Sequence, residues 1–319
     1  MAFYKWEDSR LALYEDGRVF EITFPEKAYG APVFTVNRRY IAVEAEDKIY
    51  IYDSEKGSFR SFLHKFRYRQ NEFRFDKNDN LYYIDGNNIG VIDIETSRDV
   101  TLCNIGKKQH CPRDLGVSPD GRYVSFRRYR NDSNYLYVFD TKNGELRDCK
   151  FSVYHYAWLD DNSIIWSLGG GLKILDVRTG KNQLVVKDHK SLIKRCAKED
   201  AQLFDKFKGM DGFPLFINLD LIKVVDRTVY FSLAIDYFGE KTQEKDEKHY
   251  GIWSVDLKTG RAVYHYEFPG DYRKTPHKFF MDDGKLAWTL GEWRIFDGTS
   301  ERALPGAWEQ AIYFNSLNA

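Results

Sequence analysis

The chain has 319 residues, with Lys plus Arg and Asp plus Glu balanced at 48 each, so its formal net charge is zero. That length supports one large core or two smaller ones. The charge balance removes any global field that would draw the molecule to nucleic acid or to an anionic membrane. Aromatic residues make up 16% and prolines number 8, a mixture suited to pleated, half-buried surfaces.

The start, "MAFYKWEDSR", lacks a basic segment followed by an apolar run, so it does not read as a secretory signal. No apolar segment approaches the roughly 18 residues of a membrane-spanning helix. The cysteines Cys103, Cys111, Cys149 and Cys196 form no C-x-x-C pair. Reduced thiols in a cytoplasm are the expectation.

In chain order, "FYKWED", "RLALYED" and "GRVFEITF" (3–24) read as the last strands of a four-stranded sheet without its first. A repeating unit follows. "KIYIYDSEKG", "IGVIDIETS", "LYVFDTKNG", "LKILDVRTG", "IWSVDLKTG" and "WRIFDGTSE" are alternating strands that end in an aspartate and a turn. The aspartates are Asp53, Asp93, Asp140, Asp176, Asp256 and Asp297, spaced by 40, 47, 36, 80 and 41 residues. An aspartate there accepts from the backbone two residues on and favours a turn. A second signal precedes each. Its sharpest form is "SPDGRYVSF", where Ser118, Pro119, Asp120 and Gly121 stand in the order of a type I turn. The 80-residue interval contains "KSLIKRCAKEDAQLFDKFKG", whose Ile193, Ala197, Ala201, Phe204 and Phe207 predict a short amphipathic helix over 190–209. "WEQAIYFNSL" (308–317) reads as the missing first strand of the opening sheet.

Four antiparallel strands in about 40 to 45 residues make one propeller blade. The expected fold is all-β: a seven-bladed β-propeller over 1–319, one domain, closed by pairing the N- and C-terminal strands. Six blades is the alternative. "SPDGRYVSF" followed by "LYVFDTKNG" resembles the WD-like repeats of TolB-type β-propellers. The resemblance implies the fold. It carries no functional residue, because such folds host many activities.

Catalytic signatures are missing. There is no G-x-S-x-G, no H-E-x-x-H, and "SLGGGLKI" lacks phosphate-loop spacing. His110 and Cys111 are adjacent, so on a strand they point to opposite faces, which is poor metal geometry. The pairs Asp160–Asp161 and Asp282–Asp283 fall in the slot of "SPDG" and read as turn chemistry. No cofactor and no metal is expected.

Propeller topology places connections at two ends. Turns between first and second strands, and between third and fourth, gather Glu15, Asp16, Asp53, Glu55, Asp76, Asp79, Asp160, Asp161, Asp282 and Asp283 at one end. The other end gathers "HKFRYRQ", "GKKQHCPR", "RRYRN" and "DYRKTPH". Candidate partner-binding residues are therefore Arg67, Tyr68, Arg69, Lys107, Lys108, His110, Arg127, Arg128, Tyr129, Arg130, Tyr272 and Arg273. Interleaved Arg and Tyr anchor interfaces. Arg74, Arg113, Tyr156 and Lys278, entering first strands, are candidates for the channel mouth, where a small anionic ligand is conceivable. The leading expectation is a monomeric, cytoplasmic, bacterial, non-catalytic propeller that binds an acidic protein partner, in the manner of an immunity protein. Net neutrality and interspersed acids argue against nucleic acid. The alternative is a hydrolase or lyase acting on an anionic or sugar-like ligand at the channel mouth.

Overall fold

Apolar strands broken at regular intervals by Asp, Gly and Ser turns fold here as small antiparallel sheets. The computed structural model describes residues 2–15, 18–35, 37–64, 73–106, 112–153, 155–168, 171–197, 219–225, 227–236, 248–267, 279–282, 285–289, 293–296, 301–303 and 310–312. The first sheet holds β1 (Ala2–Glu7), β2 (Arg10–Glu15) and β3 (Arg18–Thr23). The second holds β4 (Tyr29–Phe34), β5 (Tyr40–Glu44), β6 (Lys48–Asp53) and β7 (Ser58–Leu63). The third holds β8 (Phe73–Phe75), β9 (Leu81–Asp85), β10 (Asn88–Asp93) and β11 (Arg98–Asn104). The fourth holds β12 (Arg113–Val117), β13 (Tyr123–Arg130), β14 (Ser133–Asp140) and β15 (Glu145–Ser152).

The fifth sheet holds β16 (His155–Asp160), β17 (Ser163–Leu168), β18 (Gly171–Asp176) and β19 (Asn182–Val186). After helix α1 (His189–Ala197) comes the sixth, with β20 (Leu219–Val225), β21 (Thr228–Asp236), β22 (Lys248–Asp256) and β23 (Ala262–Glu267). The seventh holds β24 (Phe279–Asp282), β25 (Lys285–Thr289), β26 (Trp293–Phe296) and β27 (Glu301–Ala303). Finally β28 (Gln310–Ile312) joins the first sheet, in the order β28-β1-β2-β3, with Gln310 opposite Tyr4 and Ile312 opposite Ala2. Among the described residues there are thus seven four-stranded sheets. The opening sheet borrows its first strand from the end of the chain, as its three-strand sequence pattern predicts.

The chain divides into two compact units. One is Met1–Ser152 with Asp282–Ala287 and Glu292–Ala319; the other is Val153–Met281 with Trp288–Gly291. Within the first unit the leading strands of successive sheets are neighbours: β28 beside β4, β4 beside β8, β8 beside β12. Within the second, β16 lies beside β20. Burial falls from the second strand outward. All five residues of β5 are buried, whereas β3 is exposed along almost its whole length. β5 is covered on both faces, Ile41 and Val43 joining the core with the first sheet and Tyr40 and Ala42 that with the third, so it reads as an apolar run.

The cores lie between sheets. Leu11, Phe24, Phe34 and Ile41 fill the seam between the first and second. Ile49, Ile51, Phe73 and Phe75 fill the next, and Ile89, Leu115, Val124 and Phe126 the one after. In the second unit Ile165, Leu172, Phe231 and Trp253 join the fifth and sixth sheets. Helix α1 packs against β19 and β23, the outer strands of those two sheets, and adds Leu192 and Cys196 to their core. Asp188 caps it, accepting from Ser191 N at 2.8 Å, while Ser191 Oγ accepts from Asp188 N at 3.2 Å. This reciprocal pair satisfies donors that a helix start leaves open. The helix begins at His189, one residue before the expected start; the remainder of the expected span, 198–209, lies outside the described residues. No helix among the described residues is long and apolar enough to cross a membrane.

Candidate interaction face

The recurring aspartates are structural. Asp140 Oδ1 accepts from Lys142 N at 2.9 Å and Asn143 N at 3.3 Å, and Gly144 N donates to Asp140 O at 2.9 Å. Asp53, Asp176 and Asp256 each accept from the same two backbone positions. The residue closing the turn takes a left-handed conformation, φ 69° at Gly144. Ser97 holds the same position at φ 57° after Asp93. "SPDG" is a turn with Gly121 N donating to Ser118 O at 2.9 Å. It also stitches sheets together. Lys77 N donates to Pro119 O at 3.0 Å and the Tyr82 hydroxyl to Gly121 O at 2.9 Å. Asp160 serves its turn as well, accepting from Asn162 N at 2.8 Å.

Counter-charges accompany these turns. Arg39 lies 3.4 Å from Asp53, 3.1 Å from Glu55 and 3.4 Å from Glu95. Arg122 pairs with Asp140 at 3.1 Å. Burial pushes the Asp53 and Asp140 carboxyls up, but their arginines and backbone donors outweigh it and hold both below the ordinary range. The acid-rich end is therefore locally neutralised to a degree that counting acids along the sequence does not register.

At the opposite end of the first unit, the expected basic loop that the described residues cover is that of the β13–β14 hairpin. Arg67, Tyr68, Arg69, Lys107, Lys108, His110, Tyr272, Arg273 and Lys278 lie outside the described residues. The described candidates sit on the β13–β14 hairpin. Each of its strands has eight residues, against five and six in the matching hairpins of the second and third sheets. Two left-handed residues, Asn131 and Asp132, close it.

Along β13 the four side chains do different work. Arg127 pairs with Asp114. Arg128 is 5% exposed and donates to the carbonyls of Ile105 and Gly106, each at 3.2 Å. It anchors the end of the third sheet to the fourth and presents little charge to solvent. Tyr129 is 42% exposed, its hydroxyl donating to Asp132 at 3.2 Å. Arg130 lies 4.3 Å from the Tyr135 ring centroid and 3.1 Å from Asp148. The projecting surface is thus Tyr129 with Arg130. Acids share this end: Glu46 and Asp47 in the β5–β6 turn are exposed, which the grouping of basic loops overlooks.

The described channel-mouth candidates each lie on the first strand of a sheet: Arg74 on β8, Arg113 on β12 and Tyr156 on β16. Arg74 is half-buried on β8, opposite Tyr82, and donates to Phe73 O at 2.7 Å. Arg113 is exposed and pairs in register with Arg127 beyond a bulge, on the side of the fourth sheet facing away from the third. Tyr156 is half-buried in the second unit.

Among the described residues no three His, Cys, Asp or Glu side chains gather as for a metal ion. One pair resembles a nucleophile and its base: Ser254 Oγ and His265 Nε2 are 2.7 Å apart. Ser254 is 3% exposed, sealed from a substrate, and burial holds His265 below its ordinary pKa.

No protein-family model matches the sequence, and no curated protein matches it. Solved structures do. A WD40 propeller in the mitotic checkpoint complex is 12% identical over 90% of this chain and 80% of its own, with TM-score 0.55. The fold is of the β-propeller type. Hydrazine synthase of Kuenenia stuttgartiensis is similar at TM-score 0.51 and 12% identity, covering 83% of this chain and 75% of that one. A TolB protein from Agrobacterium tumefaciens gives TM-score 0.44 at 10% identity over 79% of this chain and 85% of its own.

Proposed function

We propose that the chain is a non-catalytic, seven-bladed propeller, one domain closed through β28 and β1, that binds an acidic protein partner through its loop-bearing, arginine- and tyrosine-rich end. The observation that carries this reading is the β13–β14 hairpin, whose strands are longer than those of its counterparts in the second and third sheets and which exposes Tyr129 and Arg130. Aromatic and arginine side chains of this kind dominate binding energy when a partner buries them. The similar propeller of the mitotic checkpoint complex belongs to a protein assembly, which supports a protein partner in general. A narrower form places the chain in a bacterial cytoplasm as a monomer that captures and neutralises its partner. Arg67, Tyr68, Arg69, Lys107, Lys108, His110, Tyr272 and Arg273 complete the proposed surface, and a small anionic ligand near Arg74 and Arg113 is a secondary feature of it.

The test is affinity capture from the native host with the wild type and with Tyr129→Ala/Arg130→Ala, which leaves the buried Arg128 in place. The expected result is one stoichiometric, salt-sensitive protein whose recovery falls about tenfold with the variant at unchanged thermal stability. Equal recovery by both proteins, or no stoichiometric partner at low salt, refutes the reading.

A further inference from the structure

His64 ends the second sheet, directly after β7, and its side chain is 4% exposed. Its backbone N–H donates to Asp47 O at 2.7 Å, which fixes the chain there. The imidazole enters the seam with the third sheet. Its ring meets the Tyr83 ring edge-on, with centroids 4.0 Å apart at 67°. Its Nε2 stands 3.6 Å from Asp99 Oδ2 on β11. The Tyr83 hydroxyl donates to the other oxygen, Asp99 Oδ1, at 2.7 Å. Tyr83 is itself buried, lying over Gly90 of β10. Three side chains from two sheets therefore interlock at one point of the seam.

Among the described residues, charged and titratable groups facing His64 include Asp99 from β11, and Tyr83 and Asp85 from β9. Burial lowers the imidazole's pKa and outweighs the pull of Asp99 and Asp85, while burial and Asp99 push the Tyr83 hydroxyl up, so Tyr83 stays neutral. Histidine titrates in the range where cells and compartments differ in acidity.

We propose that His64, Tyr83 and Asp99 form a pH-sensitive latch between the second and third sheets: neutral His64 closes it, and a proton on His64 opens it. The folded pKa lies below that of the unfolded chain. The latch's contribution is therefore complete above the ordinary histidine value, near 6.5, and is lost as pH falls from there through the folded value. The contacts span two sheets of one unit, so opening loosens that seam locally.

Hydrogen exchange at pH 7.5 and pH 5.5, corrected for intrinsic rates, reads the latch. In the wild type the peptides covering β7 and β11 should exchange faster at the lower pH, the rise falling between the ordinary histidine value and the folded one and reaching at most about tenfold for each pH unit. His64→Phe keeps the edge-on ring contact without a titrating group, and His64→Gln keeps a polar one; both should show no such rise. The NMR titration of the wild-type His64 ring supplies a second measurement that no variant can compromise, and its midpoint should lie below 6.5. Exchange independent of pH in the wild type, an equal rise in both variants, or a His64 midpoint at or above the ordinary value overturns the latch. The readout is confined to β7 and β11, so the buried His265 of the other unit does not enter it.

Discussion

Gly90 should not tolerate alanine. A Cβ at this position would stand 2.1 Å from Tyr83 Cζ and 2.2 Å from its hydroxyl oxygen, distances that real Cβ contacts do not show. Tyr83 cannot simply swing aside. It is 4% exposed, its ring packs on His64, and its hydroxyl holds Asp99 at 2.7 Å. Forcing one methyl under a locked ring is an overpacking change, costing about 1–3 kcal/mol. Losing the Tyr83–Asp99 hydrogen bond adds about 1 kcal/mol. Gly90→Ala should thus destabilise by about 2–4 kcal/mol, read as a lower midpoint in equilibrium urea unfolding. A double-mutant cycle separates the cause from any generic effect of strand glycine. With Tyr83→Ala already in place the new methyl has room, and Gly90→Ala should then cost under about 0.5 kcal/mol or stabilise slightly. A cost below about 0.5 kcal/mol in the wild-type background, or the same cost with and without the Tyr83 ring, refutes the reasoning.

Asp140→Ala removes the acceptor for Lys142 N, Asn143 N, Asn143 Nδ2 and Arg122, and should destabilise by about 2–3 kcal/mol in the same assay; Asp140→Asn should recover part of this. Leu192→Ala, at a side chain 1% exposed where α1 meets two sheets, should cost about 2–4 kcal/mol, and a smaller loss would mean the helix is peripheral to that core. The backbone N–H groups of Thr96, Thr179 and Thr259 hold Asp93, Asp176 and Asp256 below the ordinary carboxylate range. Folded values below the unfolded ones mean that their contribution is present above about pH 4 and is lost as pH falls through the folded values. Asp76 works the other way, since burial raises it. Near-ultraviolet circular dichroism should therefore show stability declining below about pH 4, and a flat profile there would contradict the turn assignment.

The strand-ending aspartates were readable because their chemistry is local. Asp53, Asp140, Asp176 and Asp256 need only the residues two and three places on, and those sit beside them in the sequence. The first sheet was readable because three strands without a leader demanded a partner, and β28 has the right pattern. The start of α1 showed in its apolar spacing. What escaped depends on contacts between sheets. Nothing near Arg128 announces that Ile105 and Gly106 will take its guanidinium, so a solvent-facing role looked equal for all three arginines of "RRYR". The balance of charge at each end escaped for the same reason: Arg39 meets Glu95 only after two sheets pack. His64, Tyr83, Gly90 and Asp99 are unremarkable one by one. Gly90, small in the middle of an apolar strand, was the one visible hint of a close approach.

The pairing of β28 with β1 sets an order of events during synthesis. A ribosome delivers β1 well before β28, so one flank of the opening sheet stays bare until Gln310–Ile312 has been made. Such a flank is a template for stray strands. Translation that halts before Gln310 leaves it bare for good, so a truncated product should be marked by self-association, whatever else it has managed to fold.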